Sequence, residues 1–163
     1  FSERSNIVKS MQTNFYFAHP TSMYHSVAGR DIAARFREAV PGAEVENPNQ
    51  KHHSEGYQRE GMDYFLSLCD RQDGVFFAPH FDGSIGAGVA KEVDSFLKRG
   101  APVFYFDPGQ LAFQSLSGPH ALAGFLVRDV DSTRTLLQAE KALKSAGADP
   151  YRDLEAYGRF ARP

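Results

Sequence analysis

The sequence predicts an α/β fold: a flavodoxin-like, doubly wound parallel sheet of about five strands in a three-layer α/β/α arrangement. Two observations lead there. Short apolar runs recur that are continuous rather than alternating, as strands buried on both faces of a parallel sheet must be. Between them lie stretches whose apolar residues repeat at helical spacing. The resulting alternation of strand and helix calls for right-handed crossovers and helices on both faces of one sheet. The chain has 163 residues, which fits one domain over 1–163, with its core in about 13–106 and a C-terminal strand and helices in 120–160.

Four runs mark the strands: Phe15-Tyr16-Phe17-Ala18, Val75-Phe76-Phe77-Ala78, Val103-Phe104-Tyr105-Phe106 and Gly124-Phe125-Leu126-Val127. A weaker one, 43–46, follows the turn Pro41-Gly42 and stops before Pro48. Ile32, Phe36 and Val40 set the stripe of a first helix, Met62, Leu66 and Cys69 that of a second, and Val89, Val93 and Phe96 that of a third. Asp131 is placed to cap a helix carrying Leu136, Ala139 and Leu143, which should end at Gly147 before Pro150. A last amphipathic segment covers about 151–160.

Composition narrows the function. Hydrophobic residues are 42% and charged residues 23%, values of an ordinary folded domain rather than a disordered one. A formal charge of −2 provides no basic stripe for duplex nucleic acid. Cys69 is the only cysteine, so no internal disulfide and no multi-cysteine zinc site can form, a usage that suits a reducing cytosol. No apolar run nears the roughly 20 residues of a membrane span, and no secretory apolar segment opens the chain. The expectation is a soluble cytoplasmic protein.

In doubly wound folds ligands bind beyond the carboxyl ends of the strands, where the strand order reverses. Four loops qualify: 19–26, 47–55, 79–88 and 107–119. The third, Pro79-His80-Phe81-Asp82-Gly83-Ser84-Ile85-Gly86-Ala87-Gly88, enters a helix at about Val89. Its glycines and serine at a helix start present N–H groups suited to an anion or sugar oxygens. It matches neither the Walker pattern nor the dinucleotide fingerprint. Glu92 falls in the first turn of that helix, and Asp63 near the start of the preceding one. Two carboxylates at one cleft suit glycosidic chemistry. His52 and His53 lie in a polar loop with Lys51 and Glu55, read as solvated rather than as a zinc site. Cys69 is read as a buried small hydrophobe. Most of the 14 Phe and 7 Tyr fill the core; Tyr16 is set apart for the site, and Tyr24, Tyr57 and Phe81 could stack on a base.

These residues resemble a known family. Phe15-Tyr16-Phe17-Ala18-His19-Pro20 looks like the opening strand of the nucleoside 2-deoxyribosyltransferases and their relatives, the nucleoside 5'-monophosphate N-glycosidases. Gly88-Val89-Ala90-Lys91-Glu92 is similar to their Gly-x-x-x-Glu element. The segment 62–70 followed by Asp73-Gly74-Val75-Phe76-Phe77-Ala78 resembles the helix and strand that bring in an active-site aspartate, here Asp63. The likeness covers about 13–106, and it is carried by the order and spacing of short motifs.

The resemblance implies that Glu92 attacks the anomeric carbon, that Asp63 assists protonation of the departing base, and that Tyr16 orients Glu92. It also implies a homodimer with shared active sites, acting on a small-molecule nucleoside or nucleotide without a metal or organic cofactor. The aspartate that the transferases keep six residues before the glutamate, where it reads the sugar 5'-hydroxyl, is Gly86 here. A carboxylate there would repel a phosphate, whereas small residues with free N–H groups admit one. Ser84, Gly86, Ala87 and Gly88, with His19, Ser22 and Arg30, are the expected phosphate contacts. The function expected is hydrolysis of the N-glycosidic bond of a nucleoside 5'-monophosphate or nucleoside. Base exchange by a deoxyribosyltransferase and a non-catalytic nucleotide-sensing module are the alternatives.

Overall fold

The computed structural model describes residues 14–161. Strands β1 (Asn14–Ala18), β2 (Glu44–Glu46), β3 (Gly74–Phe77), β4 (Val103–Asp107) and β5 (Ala112–Leu116) form one sheet in the order β2-β1-β3-β4-β5. The pairs β1–β2, β1–β3 and β3–β4 are parallel, with Tyr16 opposite Val75 and Phe76 opposite Phe104. Among the described residues six α-helices accompany it: α1 (Val27–Ala39), α2 (Lys51–Glu60), α3 (Met62–Asp70), α4 (Ala87–Lys98), α5 (Val130–Ser145) and α6 (Leu154–Ala161). A 3-10 turn, Thr21–Met23, follows β1. None of the described helices is long and apolar enough to cross a membrane.

Strand parity divides the core. Phe15, Phe17 and Phe76 pack with Ile32 and Phe36 of α1 and with Leu154 and Tyr157 of α6. Tyr16, Val75 and Phe77 pack with Leu68 and Cys69 of α3 and with Val89, Val93 and Phe96 of α4. Successive strand side chains point to opposite faces, so a strand buried on both must be apolar throughout. That accounts for the continuous runs in β1 and β3, every described residue of which beyond Asn14 is buried. On the α1 side the rings of Phe36 and Phe76 stack with centroids 4.0 Å apart.

Several expectations are corrected. The run 124–127 is not a strand: its neighbourhood is a series of tight turns, with Ala121 N–H donating to Gly118 O and Phe125 N–H to Leu122 O. Only an isolated parallel bridge links Val127 to Ile85. Leu126 is 64% exposed, so the run lacks the two buried faces of a central strand; Phe125 alone tucks against Tyr105, at 4.7 Å between centroids. The fifth strand is instead β5, within the loop 107–119, and it runs antiparallel to β4. Its burial is patchy and its residues partly polar, as an edge strand tolerates. The hairpin turn is held by Asp107, whose Oδ1 accepts from Gly109 N–H at 2.9 Å.

Residues 51–55 are helical rather than loop, because α2 shows solvent a charged surface and buries only His53 and Gly56, leaving no apolar stripe to read. In α3 the buried pair is Leu68 and Cys69, not the full stripe through Met62 and Leu66. Asp129, not Asp131, caps α5, accepting from Ser132 N–H at 2.7 Å. Ala139 is exposed, and Glu140 holds the buried place beside Leu136.

Candidate functional site

A cavity of about 610 Å³ opens at the carboxyl ends of β1, β2 and β3, within the usual size of small-molecule sites. The loops after β1 and β3 both line it, and these are the neighbouring strands between which the order reverses. Three of the four expected loops contribute; residues 107–119 do not.

Glu92 is the buried acid of this cavity. Helix α4 begins at Ala87 with Gly86 as its N-cap, so Glu92 lies in the second turn rather than the first. With Val89, Val93 and Phe96 it falls on the buried stripe, and it is 6% exposed. The phenol of Tyr16, fully buried in β1, donates a hydrogen bond to Glu92 Oε2. Burial pushes the carboxyl from its ordinary 4.5 up to about 7, against the opposing hydrogen bond from Tyr16. The Tyr16 phenol is itself pushed far up, by burial first and then by the Glu92 charge, so it remains a donor. The expected Tyr16–Glu92 pairing is present.

His19 also lines the cavity, with Tyr24, Tyr57 and Phe65 as its aromatic wall. The His19 ring stacks on Phe17 at 4.0 Å and donates through Nδ1 to the Phe17 carbonyl at 3.0 Å. Burial lowers its pKa to about 4, so it is neutral at physiological pH.

The other expected contacts are scattered. Gly86 and Gly88 lie on the cavity wall. A Cβ at Gly86 would sit 3.1 Å from His80 Nε2 and 3.1 Å from Thr133 Cγ2, so the close approach there suits glycine. The Ala87 N–H is already taken by Thr133 Oγ1 at 3.0 Å. Ser84 is 1% exposed and does not line the cavity. Its hydroxyl donates to Asp82 Oδ1 at 2.6 Å and accepts from Arg128 Nε at 2.8 Å. Arg128 in turn pairs with Asp82 at 2.6 Å. Burial pushes the Asp82 carboxyl up, but the Ser84 and Arg128 bonds outweigh it and hold it below its usual range. Ser84 therefore shapes the loop instead of facing a phosphate.

Ser22 donates to Glu140 at 2.8 Å and lies outside the cavity lining. Arg30 and Asp63 are exposed, and neither lines the cavity. The two expected carboxylates are thus not brought together, because Asp63 occupies the solvent side of α3. Phe81 packs against Phe160, at 5.6 Å, rather than on the cavity. Cys69 is buried, and burial pushes its thiol well up, away from the thiolate a nucleophile needs.

Two residues with no assigned role in the sequence complete the site. His80, directly beyond β3, is 1% exposed and lines the cavity. Its Nδ1 is 2.9 Å from Oε1 of Glu140, which is 2% exposed on α5. Glu140 also accepts from the Ser22 hydroxyl and from the Tyr151 phenol. Like Glu92, Glu140 is an acid standing where helical periodicity asks for an apolar residue, but no local spacing joins it to His80. A third cluster, Glu46, His52 and His53, brings one ligand atom from each within 4.8 Å of the others. Both ring nitrogens of His53 are engaged, one by the Tyr64 hydroxyl at 2.5 Å and the other by the Glu46 carboxylate. That buried ring ties α2 to α3 and β2.

No protein-family model matches the sequence, and neither a curated protein nor a solved structure does.

Proposed function

We propose that the protein hydrolyses the N-glycosidic bond of a nucleoside 5'-monophosphate or nucleoside, with Glu92 as nucleophile. The observation that carries this reading is the buried Glu92 carboxylate, held by the Tyr16 phenol inside a cavity of about 610 Å³. A carboxylate ionising near neutral pH in a desolvated site is poised to bond to an electron-poor carbon once the leaving group departs. Tyr24, Tyr57 and Phe65 give an aromatic wall for the base. Lys51, together with the glycines that open α4, is available to an anion at the same cavity. The three-layer, doubly wound reading of the fold belongs to this proposal, and the division of the core between the two sheet faces supports it.

The test is free-base release from a panel of nucleosides and 5'-monophosphates, run with the native protein and with Glu92→Ala. Release by the native protein that vanishes in a folded Glu92→Ala variant is the expected result. Release that requires an added second nucleobase would replace hydrolysis by deoxyribosyl transfer. Undiminished turnover in Glu92→Ala would remove the nucleophile.

A further inference from the structure

We propose that His80, backed by Glu140, is the proton-transfer residue of this cavity, the part that Asp63 was expected to play; the proposal rests on the glycosidase reading of Glu92. The geometry starts from Glu140, which lies almost wholly inside the protein on α5 and accepts hydrogen bonds from Ser22, Tyr151 and His80. A carboxylate against Nδ1 fixes a proton there, so the neutral ring offers Nε2 as a base and the charged ring offers an Nε2–H as an acid. Among the described residues Nε2 has no protein partner, and it lies beside Gly86, where a Cβ would come within 3.1 Å of it. Gly86, His80 and Glu92 line the same cavity. The Tyr151 hydroxyl, which bonds Glu140, also accepts the Phe81 N–H at 3.0 Å, clamping the backbone next to His80.

A buried carboxylate and imidazole are poor packing material, since apolar residues of the same volume stabilise a core as well or better. Their place at a cavity wall points to chemistry. Glu92 and His80 share no hydrogen bond: the first is held by Tyr16 and the second by Glu140. The cavity wall therefore presents a carboxyl and an imidazole that are positioned independently of each other, as double displacement at a glycosidic carbon requires.

In the first half, a Glu92 oxygen bonds to the anomeric carbon as the carbon–nitrogen bond breaks. The bonding pair leaves with the base, which takes the proton from His80 Nε2. In the second half, water bonds to the anomeric carbon, the Glu92 ester bond breaks, and the water proton passes to Nε2. His80 ends protonated and Glu92 ionised, as they began.

The experiment compares the wild-type protein with His80→Gln and Glu140→Gln on two substrates. One carries its natural base; the other carries a base that leaves without a proton, such as a purine methylated at N7 or a pyrimidine nitrated at C5. The ratio kcat/KM covers only the steps through cleavage of the carbon–nitrogen bond. With the natural base it should fall about 10²-fold or more in both variants, and with the activated base by far less. Added imidazole should restore part of the activity of His80→Ala. In the wild-type protein, nucleobase binding should move the ¹⁵N shift of Nε2, a reading that needs no variant to fold. Equal losses on both substrates, no loss at all, or an unmoved Nε2 signal would overturn the His80 assignment while base release by the wild type leaves Glu92 standing. No base release from any substrate by the wild type would overturn both.

Discussion

Glu92 should make stability depend on pH in a way that a single substitution removes. In the folded protein its carboxyl is pushed up to about 7 from an ordinary 4.5 by burial. Between those values the native state holds a proton that the unfolded chain has lost, so unfolding releases it and stability falls as pH rises. At about 1.4 kcal/mol per pH unit, the full effect is roughly 3 kcal/mol, present below pH 4.5 and gone above 7. His19 works in the opposite sense. Its folded value is lowered to about 4 by burial, so the unfolded chain binds the extra proton and stability falls as pH drops below 6.5. The two windows overlap, and the wild-type profile alone would hide both.

Glu92→Gln keeps the shape and the Tyr16 contact while removing the charge. Urea unfolding of both proteins at pH 5 and pH 8 gives the needed double difference, in which His19 and all other groups cancel. Relative to the wild type, Glu92→Gln should gain about 2–3 kcal/mol on going from pH 5 to pH 8. A difference between the two proteins that is the same at both pH values would refute the reasoning, because it would mean that the Glu92 carboxylate is as well solvated folded as unfolded.

Tyr16→Phe removes the bond that opposes the upward push on Glu92, so the rising limb of kcat/KM against pH should move to higher pH with the fold unchanged; an unmoved limb would deny that Tyr16 tunes the acid. Gly74→Ala places a Cβ 2.5 Å from the Phe15 ring and 2.9 Å from the Pro102 carbonyl, and denaturant unfolding should show a loss of about 1–3 kcal/mol or more from overpacking of the central strand. Phe36→Ala deletes a fully buried ring stacked on Phe76, for an expected loss of about 3–5 kcal/mol by the same measurement. A 5'-phosphate should raise kcat/KM roughly tenfold or more over the matched nucleoside, through at least one charge-assisted bond of about 1.5–3 kcal/mol, and Lys51→Gln should narrow that gap; equal rates on the two substrates would favour an unphosphorylated one.

The sheet was legible where burial on both faces leaves no choice of residue. Phe15 to Ala18 and Val75 to Phe77 can only be apolar, and the stripe through Val89, Val93 and Phe96 is a plain helix face. Elements whose stability comes from somewhere other than an apolar pattern were not legible. The helix α2 buries a histidine and a glycine, and β5 is an edge strand joined by a hairpin. The run 124–127 misled because it has the composition of a buried strand but only one ring, Phe125, finds a pocket. For the site, Tyr16 and Glu92 were found because their positions carry a motif. His80 and Glu140 were not, since they are 60 residues apart and no local spacing joins them.

The two buried acids show how the same local anomaly can lead to different chemistry. Each replaces an apolar residue in a helical stripe, Glu92 beside Val89, Val93 and Phe96, Glu140 beside Leu136. Glu92 receives one donor, the Tyr16 phenol, and that is too little to offset desolvation, so its proton becomes easy to exchange near neutral pH. Glu140 receives three donors, from Ser22, His80 and Tyr151, and they come from three separate parts of the chain. An acid so well supplied is suited to fix an imidazole rather than to react. It follows that Glu140→Leu should be tolerated far worse than Glu92→Leu. The first strands two buried partners, His80 and Tyr151, each with a desolvation cost of about 1–3 kcal/mol, as well as the half-buried Ser22, and the second strands only the Tyr16 hydroxyl. Thermal unfolding of the two variants decides the point: a Glu92→Leu protein as destabilised as Glu140→Leu would contradict the division of labour between them.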